Sequence, residues 1–204
     1  MTVCTGNVCR SPLASYMLAE RLADLNIRVT SAGTGARPGM PMPHEAIRLG
    51  TERGASARLL GQHRAHVVTK EQLRDADLVL AMARSHRRAV VEIYPAVARK
   101  TFAVREFARL AADVSDDQVR AAVAQAGSGA AAPVRGFTSA IAAVASRRGI
   151  TFAPKDLDEE DVVDPFGRSV QTYERALDQL EPGLVAVERV VRLAATQLSE
   201  ETVV

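Results

Sequence analysis

Two cysteines, an arginine and a serine crowd one short stretch near the start of this chain, VCTGNVCRSP at residues 3–12. Cys4 is followed, after five residues, by Arg10 and Ser11. Met1 to Cys4 reads as a strand stub and Pro12 suits the first turn of a helix, so the stretch reads as a strand-to-helix loop. A helix N-terminus offers unpaired N–H groups and about half a positive charge. Five residues suffice to wrap backbone N–H groups around one tetrahedral anion, with Gly6 and Asn7 able to take the left-handed conformations such a nest needs. Arg10 brings a planar fork that binds two oxygens of the anion at once. Cys4 lies at the base of this field, which favours the thiolate, and Ser11 can donate a hydrogen bond to it. The chemistry these residues suit is attack by sulfur on phosphorus held by dipoles and a guanidinium.

A phosphocysteine route also needs an acid for the leaving oxygen. VVDPFG, residues 162–167, supplies Asp164, with Pro165 to stiffen the loop and Phe166 as an apolar wall. The same carboxylate can then activate water for hydrolysis of the intermediate. Cys9 stands where a thiol could close a disulfide on an oxidised Cys4, and equally reads as a packed loop residue. Met40 reads as a second wall residue or as loop packing. His63, His66 and His86 have no metal-ligand spacing and read as loop or helix-surface residues; no metal and no cofactor are expected.

Elements must position these groups. Residues 11–25 carry apolar side chains at helical spacing, and residues 27–31 alternate as a short strand. Residues 35–43 form a Gly- and Pro-rich loop. A helix from His44 ends at Gly54, residues 63–68 are extended, and Thr69 caps a further helix. The apolar run at residues 77–82 suits a strand buried on both faces. A helix over residues 85–94 and a strand over 100–104 follow. Strands alternating with helices imply a parallel sheet covered on both sides. Residues 111–150 then hold two Ala-rich helices around GSGAAAP, most simply a solvated hairpin. A long helical stretch closes the chain, and Glu181-Pro182-Gly183 is expected to break or kink it.

The chain has 204 residues, 26 basic and 24 acidic, for a net charge of +2, and 47% are hydrophobic. That suits one domain with a packed core and gives no support for nucleic-acid binding. Two cysteines cannot form a disulfide framework, and no apolar run is long enough to span a bilayer, so the expectation is a cytoplasmic protein with no membrane partner. Only three residues precede Cys4, which leaves the first strand cut short or the start of the chain upstream.

VCTGNVCRSP with DPFG far downstream resembles the low-molecular-weight protein tyrosine phosphatase family. SAGT at residues 31–34 and ADLVLAM at 76–82 match that family in the same order. The resemblance implies an α/β three-layer sandwich with a central parallel sheet. It covers about residues 1–107 and 156–198, so that 1–204 is one phosphatase-like domain with a helical insertion at about 108–155. It implies Cys4 as nucleophile, Arg10 and residues Thr5, Gly6, Asn7, Val8, Cys9 and Ser11 around the phosphate, Asp164 as general acid, and a phosphotyrosine protein as substrate. A tyrosine kinase or its target would then be the partner. Two departures stand out. Ala83 occupies the place where the family often has Asp, and the loop after SAGT has no aromatic residue, only Met40 and Met42. Val8 resembles the tyrosine branch of the family, whereas DPFG, ADLVLAM and Ala83 resemble its arginine-phosphate branch. A small-thiol arsenate reductase and a non-catalytic phosphoprotein-binding module are the other readings.

Overall fold

The computed structural model describes residues 1–127 and 132–201. Four short parallel strands form the sheet: β1 (Thr2–Cys4), β2 (Ser31–Gly33), β3 (Val79–Ala81) and β4 (Thr101–Ala103). They lie in the order β2-β1-β3-β4. Thr2 pairs with Ser31 on one side and Leu80 on the other. Parallel strands need crossovers, and helices supply them on both faces. Val3, Ala32 and Val79 point into one layer with Leu73, Val90 and Val97. Leu80 and Phe102 point the other way, into a larger core with Leu13, Met17, Phe107, Leu177 and Leu180. This is the expected three-layer architecture.

The helices are α1 (Arg10–Arg21), α2 (His44–Glu52), α3 (Ala57–Gln62), α4 (Lys70–Asp75) and α5 (Arg84–Ile93). Beyond β4 come α6 (Val104–Ala112), α7 (Asp116–Ala124), α8 (Ala132–Ala145) and the 32-residue α9 (Val170–Glu201). Thr69 caps α4 in a full capping box with Gln72, as its sequence predicts. Helix α3 was not expected, because its six residues hold too little periodicity to register. Ser56 caps it through the Leu59 amide, and Leu60 anchors it in the core.

Several boundaries differ from the sequence reading. Helix α1 stops at Arg21 rather than residue 25. The second strand is residues 31–33, not 27–31, because β1 begins its ladder at Ser31 and Ile27 is left exposed. Of the GSGAAAP stretch, Ala132 and Pro133 already belong to α8, and residues 128–131 lie outside the described residues. The Ala-rich helices are not a solvated hairpin. Val119, Val123, Ala140, Ile141 and Val144 are buried in the larger core with Leu184 and Val187 of α9. Arg189 of α9 also ties in the α6–α7 corner, through Asp116 at 2.8 Å and the carbonyls of Ala111 and Val114. Glu106 holds the far end. It caps α6 through the Ala103 amide and accepts from Arg148, whose guanidinium lies 4.0 Å over the Phe102 ring.

Helix α9 runs through Pro182 unbroken. Leu180 and Leu184 on either side are fully buried, and Glu181 receives a two-pronged bond from Arg21 at 2.7 and 2.8 Å. Those contacts outweigh one missing backbone bond. Gly183 is needed for a different reason. A Cβ there would stand 2.4 Å from Val104 Cγ2 and 2.7 Å from the Val104 carbonyl oxygen, so α9 can press on α6 only without one. Gly183→Ala is therefore expected to lower stability by about 1–3 kcal/mol despite the higher helix propensity of alanine, as read by urea unfolding.

Candidate active site

Parallel sheets of this order open a crevice at the carboxyl ends of the strands, between β1 and β3, where the crossovers diverge. Cys4 ends β1 at that point. Its Sγ lies 3.0 Å from Ser11 Oγ and accepts from the Asn7 amide at 3.2 Å. Asn7 is the only non-glycine residue with positive φ among the described residues, at 53°. Asparagine tolerates that conformation, and here its side chain also holds the turn. The amide nitrogen donates to Ser11 Oγ at 3.2 Å and to Ser31 Oγ at 2.9 Å. The amide oxygen accepts from the His66 backbone at 3.1 Å.

The tip of β2 packs directly under the loop. Thr34 N donates to the Cys4 carbonyl at 2.9 Å and Gly35 N to that of Thr5 at 3.0 Å. A Cβ on Gly33 would stand 2.5 Å from the Thr5 oxygen, which explains the glycine of SAGT.

His63 and His86, read from the sequence as loop or helix-surface residues, are each only 5% exposed. The His63 Nε2–H donates to the Asn7 carbonyl at 2.7 Å, and Tyr16 OH donates to Nδ1 at 3.2 Å. Burial holds the His63 imidazole below its usual pKa, which agrees with the neutral tautomer that this pair of bonds requires. His86 Nε2 lies 2.7 Å from Thr5 Oγ1 at the other flank of the loop. Its Nδ1 is buried without a hydrogen-bond partner. The sequence did carry a signal for this residue: His86 and Val90 share one face of α5, four residues apart, and both are buried.

Arg10 begins α1 and turns into the crevice, where Nη1 donates to the Val162 carbonyl at 3.1 Å. Its Nη2 lies 2.7 Å from Asp164 Oδ2. Asp164 is half exposed, and its Oδ1 accepts from the Phe166 amide at 3.3 Å in a turn over Pro165. Residues 4 and 164 thus line one cavity of about 310 Å³, with Thr5, Gly6, Val8, Cys9 and Arg10 at its floor. Arg37, Met40 and Phe166 form its sides. Phe166 and Met40 thus both border the cavity that holds Cys4. A larger cleft of about 920 Å³ lies at the opposite end of the strands, beside Met1 and Phe137, and contains none of these groups. Among the described residues, no cluster of His, Cys, Asp or Glu is placed to hold a metal ion, and no helix is long and apolar enough to cross a membrane.

The Cys9 Sγ lies 3.9 Å from the Tyr173 hydroxyl of α9. Burial pushes its thiol up to about 12. The two cysteines are unlinked.

Burial, and then the nearby Arg10 cation, push His86 down to about 4 from its usual 6.5, against a smaller opposing pull from Asp164. The folded protein therefore keeps this ring neutral where the unfolded chain protonates it. Its contribution to stability is complete above pH 6.5 and is lost as pH falls toward 4. Urea unfolding across that range should show a loss on the order of 3 kcal/mol from this group, and His86→Gln should flatten that part of the profile.

Residues 1–119 match the family model described as low molecular weight phosphotyrosine protein phosphatase. A probable low molecular weight protein-tyrosine-phosphatase EpsP of Ralstonia solanacearum is 31% identical over 116 residues, 57% of this chain and 75% of that protein. A protein-arginine-phosphatase of Bacillus subtilis is 28% identical over 183 residues, 88% of this chain and 87% of that protein. Among solved structures, the YwlE arginine phosphatase of Geobacillus stearothermophilus superposes with a TM-score of 0.62 at 26% identity, covering 97% of this chain and 94% of that one. The crevice at the ends of β1 and β3, the sheet order and these matches agree: the chain belongs to the low molecular weight phosphotyrosine protein phosphatase family.

Proposed function

We propose that this protein removes phosphoryl groups from phosphotyrosine in protein substrates through a phosphocysteine at Cys4. The observation that carries the reading is the meeting of Cys4, Arg10 and Asp164 in one cavity, although 153 residues lie between the arginine and the acid. In this reading Cys4 Sγ attacks phosphorus in line with the leaving oxygen. Arg10 and the amides of residues 5–10 hold the three remaining oxygens as charge builds on them. Ser11 stabilises the thiolate before attack and the departing sulfur afterwards. Asp164 gives its proton to the leaving oxygen, then takes one from the water that attacks the phosphocysteine, so phosphate leaves and the thiolate returns. Phe166 and Met40 supply the wall for an aromatic ring.

The Arg10–Asp164 ion pair fits this sequence of events. A phosphate dianion entering the cavity competes with the carboxylate for the guanidinium and frees Asp164 to turn toward the leaving group. Cys9 serves as the resolving thiol for a Cys4 oxidised by peroxide: its sulfur displaces water from the sulfenic acid and closes a disulfide. Its raised thiol makes that closure slow at neutral pH. The helices between about 108 and 155 are an insertion into one phosphatase domain, and a tyrosine kinase or its target is the natural substrate partner.

Phosphoarginine is the second reading. The match to the Bacillus subtilis arginine phosphatase runs along 88% of this chain, and the loop after β2 offers no aromatic residue to a phenyl ring.

Initial rates on phosphotyrosine and phosphoarginine peptides, without metal and with a thiol reductant, separate the two readings by their ratio. Cys4→Ser is expected to lose turnover while still binding vanadate; an active Cys4→Ser would overturn the phosphocysteine. Asp164→Ala should lose about 10²–10⁴-fold in kcat/KM on phenyl phosphate and far less on 4-nitrophenyl phosphate, whose leaving group needs little protonation. Equal losses on both esters would exclude Asp164 as the acid.

A further inference from the structure

Helix α5 starts without a cap of its own. Its N-cap residue is Ala83, which has no side-chain acceptor for the first-turn amides. The missing acceptor arrives from elsewhere. Asp161 Oδ1 accepts from the Arg84 amide at 2.7 Å, across 77 residues of chain. The Arg84 side chain adds to the tie, with Nε 3.6 Å from the same Asp161 oxygen and Nη2 bonded to Asp158. The next residue is pinned through its backbone: Val162 N donates to the Met82 carbonyl at 2.9 Å, and the Val162 carbonyl accepts from Arg10 at 3.1 Å. Arg105 of α6 donates to the Asp161 carbonyl at 3.4 Å. Asp164 follows two residues after Val162, is itself half exposed, and has Arg10 as its one ionic partner among the described residues.

We propose that Asp161 is a positioning residue for the general acid: by capping α5 from the acid's own loop, it sets where Asp164 stands over Cys4. The inference rests on the phosphocysteine reading and deepens it. The bond does two jobs with one oxygen. It satisfies a helix terminus that Ala83 leaves open, and it clamps the loop three residues before the acid. A carboxylate at position 83 would do the first without the second, and the two roles can therefore be separated.

The test compares the wild type with Asp161→Ala, Asp161→Asn and the double variant Ala83→Asp/Asp161→Ala. The readouts are thermal midpoint and kcat/KM on phenyl phosphate and 4-nitrophenyl phosphate. Asp161→Ala should fall about tenfold on phenyl phosphate and less than about twofold on the nitrophenyl ester, because only a misplaced proton donor distinguishes them. Asp161→Asn keeps an acceptor and should stay close to wild type. The double variant gives α5 its own cap, so it should regain the thermal midpoint but not the rate on phenyl phosphate; it also keeps the test open if Asp161→Ala alone folds poorly. Equal losses on both esters, or a phenyl phosphate rate that returns with the midpoint, would overturn the positioning role. A wild type inactive on both esters would overturn the phosphatase reading, and this one with it.

Discussion

Bringing Cys4 and Ser11 to one point within eight residues requires the chain to reverse in a left-handed conformation at position 7, and that reversal is what the surrounding structure exists to hold. A positive φ on a side-chain-bearing residue costs free energy unless local bonds over-determine it. Here the side chain of Asn7 reaches three partners on three different segments, and its carbonyl reaches a fourth through His63. Each of those segments is anchored in turn. Ser31 belongs to β2, His66 lies beside Val67 at the sheet edge, and His63 is braced by Tyr16 of α1. The loop from Cys4 to Arg10 is thus fixed from beneath by the sheet and from the side by a neutral imidazole. That imidazole adds hydrogen bonds without adding a competing charge.

The electrostatics of the crevice follow from the same arrangement. Arg10 is almost wholly buried and would be costly there unpaired. It is shared between the Val162 carbonyl and the Asp164 carboxylate. His86 close by stays neutral first because burial disfavours its charged form, and then because a second cation next to Arg10 would be unfavourable. The site combines the buried Arg10 charge with Arg37 at its side and several polar donors, a balance that suits a doubly charged anion.

The groups that were legible in the sequence are those whose chemistry is local. Cys4, Arg10 and Ser11 share one loop, so their spacing alone states their geometry. Asp164 was legible through its Asp-Pro context and its order in the chain. His63 and His86 were not, because the test applied to them was metal spacing, whereas their role is to bond the loop across 56 and 81 residues of chain. The second strand was misplaced for a related reason: alternation at residues 27–31 is a property of the segment, but pairing is decided by β1. Pro182 shows the reverse case. Its local rule was right about the lost bond, and buried leucines on both sides override it.

Helix α9 closes the core against α1, α6, α7 and α8 and brings Tyr173 up to Cys9. The loop from Cys4 to Arg10 precedes α9 in the chain, so it is synthesised before the element that seals its back. Contacts of such long sequence separation close slowly. A ribosome-bound chain would carry the complete CxxxxxRS loop well before it carried the layer that buries it. For this fold, birth of the loop and birth of the layer that buries it are separate events, divided by the translation of the residues between Arg10 and Val170.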